Sequence, residues 1–208
     1  MIYTKEHIEK LDRTTRIKII NSVSGIKPAN LIGTIGAQGH TNLAVFSSVV
    51  HLGSDPALIG FIARPRTAEV GHTYSNIMEN EQYTINHIHP EFVKNAHYTS
   101  AKFDVTISEF KRCNLSEEFI RDFKAPFVKE SSFKMGICFK EALDIKRNGT
   151  VLVIGEIEHL ILPDTAIVDD DIDLEATNGV GISGLNSYYS LRKIQKYPYA
   201  RINEVPEF

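Results

Sequence analysis

The sequence predicts a mainly β fold, a barrel with helices at its periphery. Three stretches carry that expectation. "ANLIGTIGAQGHTNLAVFSSVV", from Ala29 to Val50, reads as two apolar strands around a glycine turn. "ALIGFIA", from Ala57 to Ala63, is an apolar run short enough for a buried strand. "SSFKMGICFKEALDI", "KRNGT" and "VLVIGEIEHLILP" form a hairpin with alternating faces, turned at Asn148-Gly149. So many strands exceed what one open hairpin stack holds, which favours closure into a barrel.

In chain order, residues from about 4 to 20 suit a helix capped by Thr4, with Ile8, Leu11 and Ile19 at helical spacing. "SGIKP" breaks it. In the first strand pair, Gly39 suits a turn that needs positive φ. "TAEVGHTYSNIMENE" has helical character and "QYTINHI" returns to strand. A short helix is expected near "PEFVKNAH", irregular chain in "YTSAKFDVTISEF", and a helix in "SEEFIRDF" opened by Ser116. After the hairpin, "DDDIDLE" reads as a solvated loop. The tyrosine-rich tail from about 176 reads as extended chain laid on a surface. No repeat or composition step divides the chain, so one domain over 1–208 is expected, with the barrel over about 28–163.

Composition narrows the function. With 23 basic and 26 acidic residues among 208, the net charge is -3, which argues against nucleic-acid binding. No window approaches the roughly 18 apolar residues of a membrane span. The charged N-terminus has no apolar signal core, and Cys113 and Cys138 lack metal-type spacing. A cytoplasmic protein with reduced thiols and no membrane partner is the expectation.

Few motifs survive inspection of their context. "GTIGAQG" is not the dinucleotide G-x-G-x-x-G and precedes a strand, so a Rossmann site fails. No G-K-[ST] loop and no G-x-S-x-G elbow occurs. His87 and His89 would share a strand face, but no third ligand has recognisable spacing, and they read as polar positions facing water at a strand end. No metal is expected.

Ser47 and Ser48 are the odd feature. A buried serine is costly unless bonded. Two in a row mark either a bulge or a strand end where a flat ligand lies against the main chain. The residues alone leave both readings open. Downstream, "FIARPRTAEVGHTYSNI" gathers Arg64, Arg66, Thr67, His72 and Thr73 around a helix start, the groups a phosphate dianion requires. A planar ring on the strand with a phosphate at the helix is the shape of FMN.

The order and spacing of "NLAVFSSVVHLGSDPALIGF", "ARP", "HTYSNI", "YTIN", "NAHYTSAKFD…SEF", "APFVKES" and "GEIEHLIL" resemble the flavin reductase-like proteins of the FMN-binding split-barrel superfamily, including its flavoredoxin-like branch. The resemblance implies a six-stranded Greek-key barrel, a homodimer, and FMN or FAD as cofactor. It implies NADH or NADPH as donor and, in some members, a partner monooxygenase or other redox protein. Carried over by position, it places the flavin ring against Ala44, Val45, Phe46, Ser47 and Ser48, with Asn42 near the ribityl chain. It places Arg64 near ring or phosphate, and Thr67, His72 and Thr73 at the phosphate. Asn95, Thr99 and Ser100 would lie beside the flavin.

Where relatives often carry lysine, this chain has His72, only partly charged near neutral pH. As a reductase it would transfer hydride from nicotinamide to flavin. Arg64 would then serve as the catalytic cation, stabilising the anionic reduced ring. With no Rossmann domain, nicotinamide would enter an open cleft, met by His97, Tyr188 or Tyr189, unless those tyrosines pack at a surface. Rival expectations are an electron carrier without NAD(P)H turnover, and a dimer that has lost its flavin.

Overall fold

A computed structural model describes residues 1–65 and 71–207. α1 (Lys5–Lys10) starts at Thr4, whose hydroxyl accepts the His7 amide while the His7 ring accepts the Thr4 N–H. The single helix expected over about 4–20 divides. Asp12 accepts the amides of Thr14 and Thr15 and opens a separate α2 (Arg13–Ser22).

The strands β1 (Lys27–Pro28), β2 (Asn30–Ile35), β3 (Thr41–Phe46), β4 (Val50–Ser54) and β5 (Ala57–Ala63) follow. After them come α3 (His72–Asn80), β6 (Gln82–His87), α4 (Val93–Tyr98) and α5 (Glu109–Arg112). A short pair, β7 (Glu117–Glu118) and β8 (Phe127–Val128), leads into the long hairpin β9 (Lys134–Ile145) and β10 (Thr150–Ile161). Two small hairpins follow: β11 (Ile167–Val168) with β12 (Asp171–Ile172), and β13 (Val180–Ser183) with β14 (Ser187–Ser190).

The main sheet has seven antiparallel strands in the order β3-β2-β6-β9-β10-β5-β4. Its two outermost strands are consecutive in the chain. Laid flat, seven strands at ~4.8 Å spacing would separate β3 from β4 by about 29 Å. The four residue steps from Phe46 to Val50 reach at most about 14 Å. The sheet therefore curls until its edges meet, and the chain crosses the seam at Ser47–Val49. Ser48 stitches that seam: its hydroxyl donates to the Ile62 carbonyl (3.2 Å) and accepts the Ile62 N–H (3.1 Å) on β5. The resemblance implies six strands and the sheet has seven, with the run after Thr41 divided at the seam into β3, paired to β2, and β4, paired to β5.

Alternation along β2 and β3 sends side chains to two cores. Ile32 and Phe46 join the barrel interior with Phe61, Tyr83, Ile85 and Ile137, and α3 adds Ile77. Leu31, Leu43 and Val45 face an outer layer with Phe92 and Ala96 beside α4, Phe110 of α5 and Ile182 of β13. Gly33 has no room for a side chain, since a Cβ would stand 2.3 Å from the Pro126 carbonyl oxygen. Gly149, at φ +71°, turns the long hairpin as the sequence predicts.

One predicted helix is absent. "SEEFIRDF" instead begins with β7, held by Glu118↔Phe127 pairing and by Glu130 accepting the Ser116 amide. Phe123 and Phe127 pack as a small separate cluster. The helix lies just upstream, in α5.

Candidate functional site

β3 organises the site, because its two faces and its two ends each present different groups. At its start, Asn42 is buried on the α3 side. Its Nδ2 donates to Thr73 Oγ1 (3.1 Å) and to Thr34 Oγ1 (3.3 Å), and Asn76 Nδ2 donates to that same Thr34 oxygen (3.0 Å). The network joins β2, β3 and α3. It edges a cleft of about 430 Å³ whose walls include His40, Asn42, His72, Asn76, Glu79 and Ile107. α3 begins at Gly71, φ +106°, with no side-chain cap. His72 opens the helix. Across from it, the Thr106 hydroxyl and amide, with a smaller contribution from His72, hold the Asp104 carboxyl below its usual range.

The far end of β3 holds a second group. Ser47 and Ser48 are half-buried just past the strand, and Ser48's bonds to Ile62 fix the end of β5, so that exposed Arg64 follows two residues later. From Asn42 to Ser48 is about 20 Å along the chain. Between them Ala44, Val45 and Phe46 are half-buried, but Val45 packs outward and Phe46 meets Phe61 edge-on at 5.0 Å. Those two can offer a ligand only backbone. Ser48's hydroxyl is already used by β5, which accounts for one of the paired serines without a ligand. Thr67 lies outside the described residues.

Asn95, Thr99 and Ser100 stand apart, on α4 and just after it, at the opposite face of β3. Thr99 is buried and returns its hydroxyl to the Ala96 carbonyl (2.7 Å), so it presents nothing to the cleft. Ser100 does the same with His97 (2.7 Å), and Asn95 donates to the Cys113 carbonyl (2.7 Å). His97 Nδ1 lies 3.3 Å from the Tyr188 hydroxyl, whose pKa burial pushes up to about 12. Tyr188 packs on the outer core, while Tyr189 is half exposed.

Sequence reasoning missed Glu109. It is buried at the start of α5, and its Oε2 accepts the Leu43 N–H (2.9 Å) on the edge of β3. Burial raises its carboxyl, opposed by the Leu43 amide. Only its place in the quoted "SEF" hinted at a role. The histidines expected to face water do not. His87 packs on Phe133 with ring centroids 4.0 Å apart, and burial lowers it to about 4; His89 is buried against Phe92.

A barrel sewn shut at Ser48, with a polar cleft where β3 meets α3, belongs to a known class. The family model described as "Flavin reductase like domain" matches residues 26–171, and the chain belongs to that family. A crystal structure from Shewanella frigidimarina NCIMB 400, provisionally described as a flavin reductase with split barrel domain, is 47% identical. It aligns with a TM-score of 0.92 over 96% of this chain and 100% of that one. The fold alone is shared with nitrilotriacetate monooxygenase component B from Bacillus cereus, at 17% identity, TM-score 0.83, and coverage of 95% of this chain and 98% of that one. The fold is also that of the flavoredoxin of Desulfovibrio vulgaris (Miyazaki F), at 20% identity, TM-score 0.72, and coverage of 85% and 92%.

Proposed function

We propose that this chain is an FMN-binding flavin reductase that takes hydride from NADH or NADPH, acting as a homodimer in the cytoplasm. The observation that carries the reading is the placement of two polar groups at the ends of β3, inside the segment matched by the family. Asn42, Thr73 and His72 gather at one end, Ser47 and Arg64 at the other, about 20 Å away along the chain. The residues fit a flavin mononucleotide. The cleft volume of about 430 Å³ is that of a small-molecule site. The start of α3, with no side-chain cap and a histidine, suits the terminal phosphate dianion of FMN.

When bound, the flavin supplies the two-electron chemistry that no side chain here can. The chain's own work is binding and orientation. His72 and Thr73 hold the phosphate at the α3 start. Asn42, pinned by Thr34, meets the ribityl chain. The main chain of Ala44–Ser48 and the Ser47 hydroxyl line the ring edge. Arg64, exposed and without a hydrogen bond or ion pair among the described residues, supplies positive charge where the reduced ring is anionic. Asn95, Thr99 and Ser100 leave this set, because their polar groups are turned to α4 and α5. The likeness to a monooxygenase component supports a partner oxygenase, or another redox protein, as acceptor.

The test is a visible spectrum of the protein with FMN, then anaerobic NADH or NADPH. Bound flavin that bleaches with a nicotinamide is the expected result. The likeness to a flavoredoxin supports one second reading, an electron carrier, which flavin that binds but does not bleach would establish. Absence of flavin binding would overturn both.

A further inference from the structure

The groove between α4 and α5 lies outside the residues assigned to the flavin. It encloses about 400 Å³, and no carboxylate is among its lining residues. Lys94 and Arg112 both line it, and neither has a hydrogen bond or ion pair among the described residues. The fold holds these two cations near each other. Asn95 Nδ2 donates to the Cys113 carbonyl at 2.7 Å, and each cation is the chain neighbour of one end of that bond. Lys94 and Tyr98, four residues apart on α4, share a helix face, so the ring stands beside the ammonium. Tyr98 is 58% exposed, yet its ring is braced edge-on by His97, with centroids 5.6 Å apart. Phe103, half-buried, supplies a second aromatic wall.

This lining selects a ligand. Two aromatic rings suit a flat apolar body, and two unpaired cations suit an anion. The kind of anion follows from the backbone. The amides of Ala101, Phe103, Cys113 and Asn114 all donate to carbonyls within the fold. These residues therefore leave no nest of free amides to cradle a phosphate. A guanidinium, by contrast, presents a planar fork that matches the two oxygens of a carboxylate. We propose that the α4–α5 groove binds a small aromatic carboxylate. Its ring lies between Tyr98 and Phe103, and its charge rests on Arg112 and Lys94. The groove shares no lining residue with the cleft at α3, so this ligand is independent of any flavin bound there.

The test is a ligand-observed NMR titration of the full-length protein with benzoate, set against benzyl alcohol, which keeps the ring and lacks the charge. Saturable benzoate binding, about tenfold or more tighter than benzyl alcohol, is expected, since each cation contributes a charge-assisted contact. A Lys94→Gln/Arg112→Gln double variant should lose that advantage. Tyr98→Leu, which keeps both charges, should weaken benzoate several-fold. Melting temperatures of both variants should match the wild type, because the altered side chains are exposed. The comparison of the two ligands on the wild type decides the question even where a variant unfolds. FMN in excess should leave benzoate binding unchanged. Displacement by FMN would put the groove in the flavin site and overturn a separate ligand. Equal binding of benzyl alcohol, or of benzoate by the double variant, would overturn the carboxylate. Equal binding of benzoate by Tyr98→Leu would overturn the aromatic ring. If benzoate does not bind at millimolar concentration, the inference falls, whatever FMN does. If benzoate binds as expected and FMN does not, the reductase reading fails and the groove's ligand stands.

Discussion

Ser47 and Ser48 are neighbours with different duties, and substitution separates them. Ser48→Ala removes a hydroxyl that serves both the N–H and the carbonyl of Ile62, so it should cost about 1–2 kcal/mol. In urea denaturation the midpoint should fall at unchanged m-value. Ser47→Ala, with no hydrogen bond to lose among the described residues, should leave that midpoint in place and weaken flavin binding instead. His87 sets a pH limit on the fold. Its pKa in the folded chain, about 4, lies below the usual 6.5, so between those values the unfolded chain binds the extra proton. Stability should therefore be complete above about pH 6.5 and drain away as pH falls towards 4, by up to roughly 3 kcal/mol. Denaturation at pH 7 and pH 5 measures it, and His87→Phe should flatten the difference.

The elements show what the sequence could and could not reveal. The hairpin of β9 and β10 was legible because alternation and an Asn-Gly turn are local signals. α3 and β6 were legible for the same reason. β3 was read too long, because its end at Phe46 is set by β5, which lies across the seam and leaves no mark in neighbouring residues. "SEEFIRDF" has a helix-like spacing of aromatics, yet β8 and Glu130 claim its backbone first. α5 is four residues long and carries no periodicity at all; it exists to place Glu109 on the edge of β3. At the proposed site, Ser47 and Arg64 came from chemistry that the sequence displays, and Asn42 from the family resemblance alone. Thr34 and Asn76 were hidden, since ordinary polar residues become a network only once β2 meets α3. Glu109 offers a test at this scale. Glu109→Gln keeps an acceptor for Leu43 and should be tolerated, whereas Glu109→Ala orphans that amide and should cost about 1–2 kcal/mol. Because burial raises the Glu109 carboxyl, the wild type should lose stability relative to Glu109→Gln as pH rises through the carboxylate range and above. Denaturation midpoints of the two proteins across pH 4 to pH 8 give the comparison.

At the scale of the whole molecule, the barrel and its outer layer end near Ser190. Beyond it, Ile194, Tyr197, Tyr199 and Ile202 are each at least 80% exposed. The ion pairs Lys193–Asp173 and Lys196–Asp171 hold the tail only at the surface, and pairs of this kind are worth under about 1 kcal/mol each. A chain ending at Ser190 should therefore melt cooperatively within a few degrees of the full chain by circular dichroism. If the tail instead clasps the second subunit of the proposed dimer, sedimentation of the shortened chain should show the lower mass. The crossing at Ser47–Val49 has a consequence for how this molecule tolerates change. A surface connection is normally the safest place for a splice, but this three-residue one holds the two outermost strands of the sheet close together. Opening it would let β3 and β4 draw apart, and an outermost strand that loses its cover can recruit strands from other molecules. A three-residue link thus stands between this barrel and a template for aggregation.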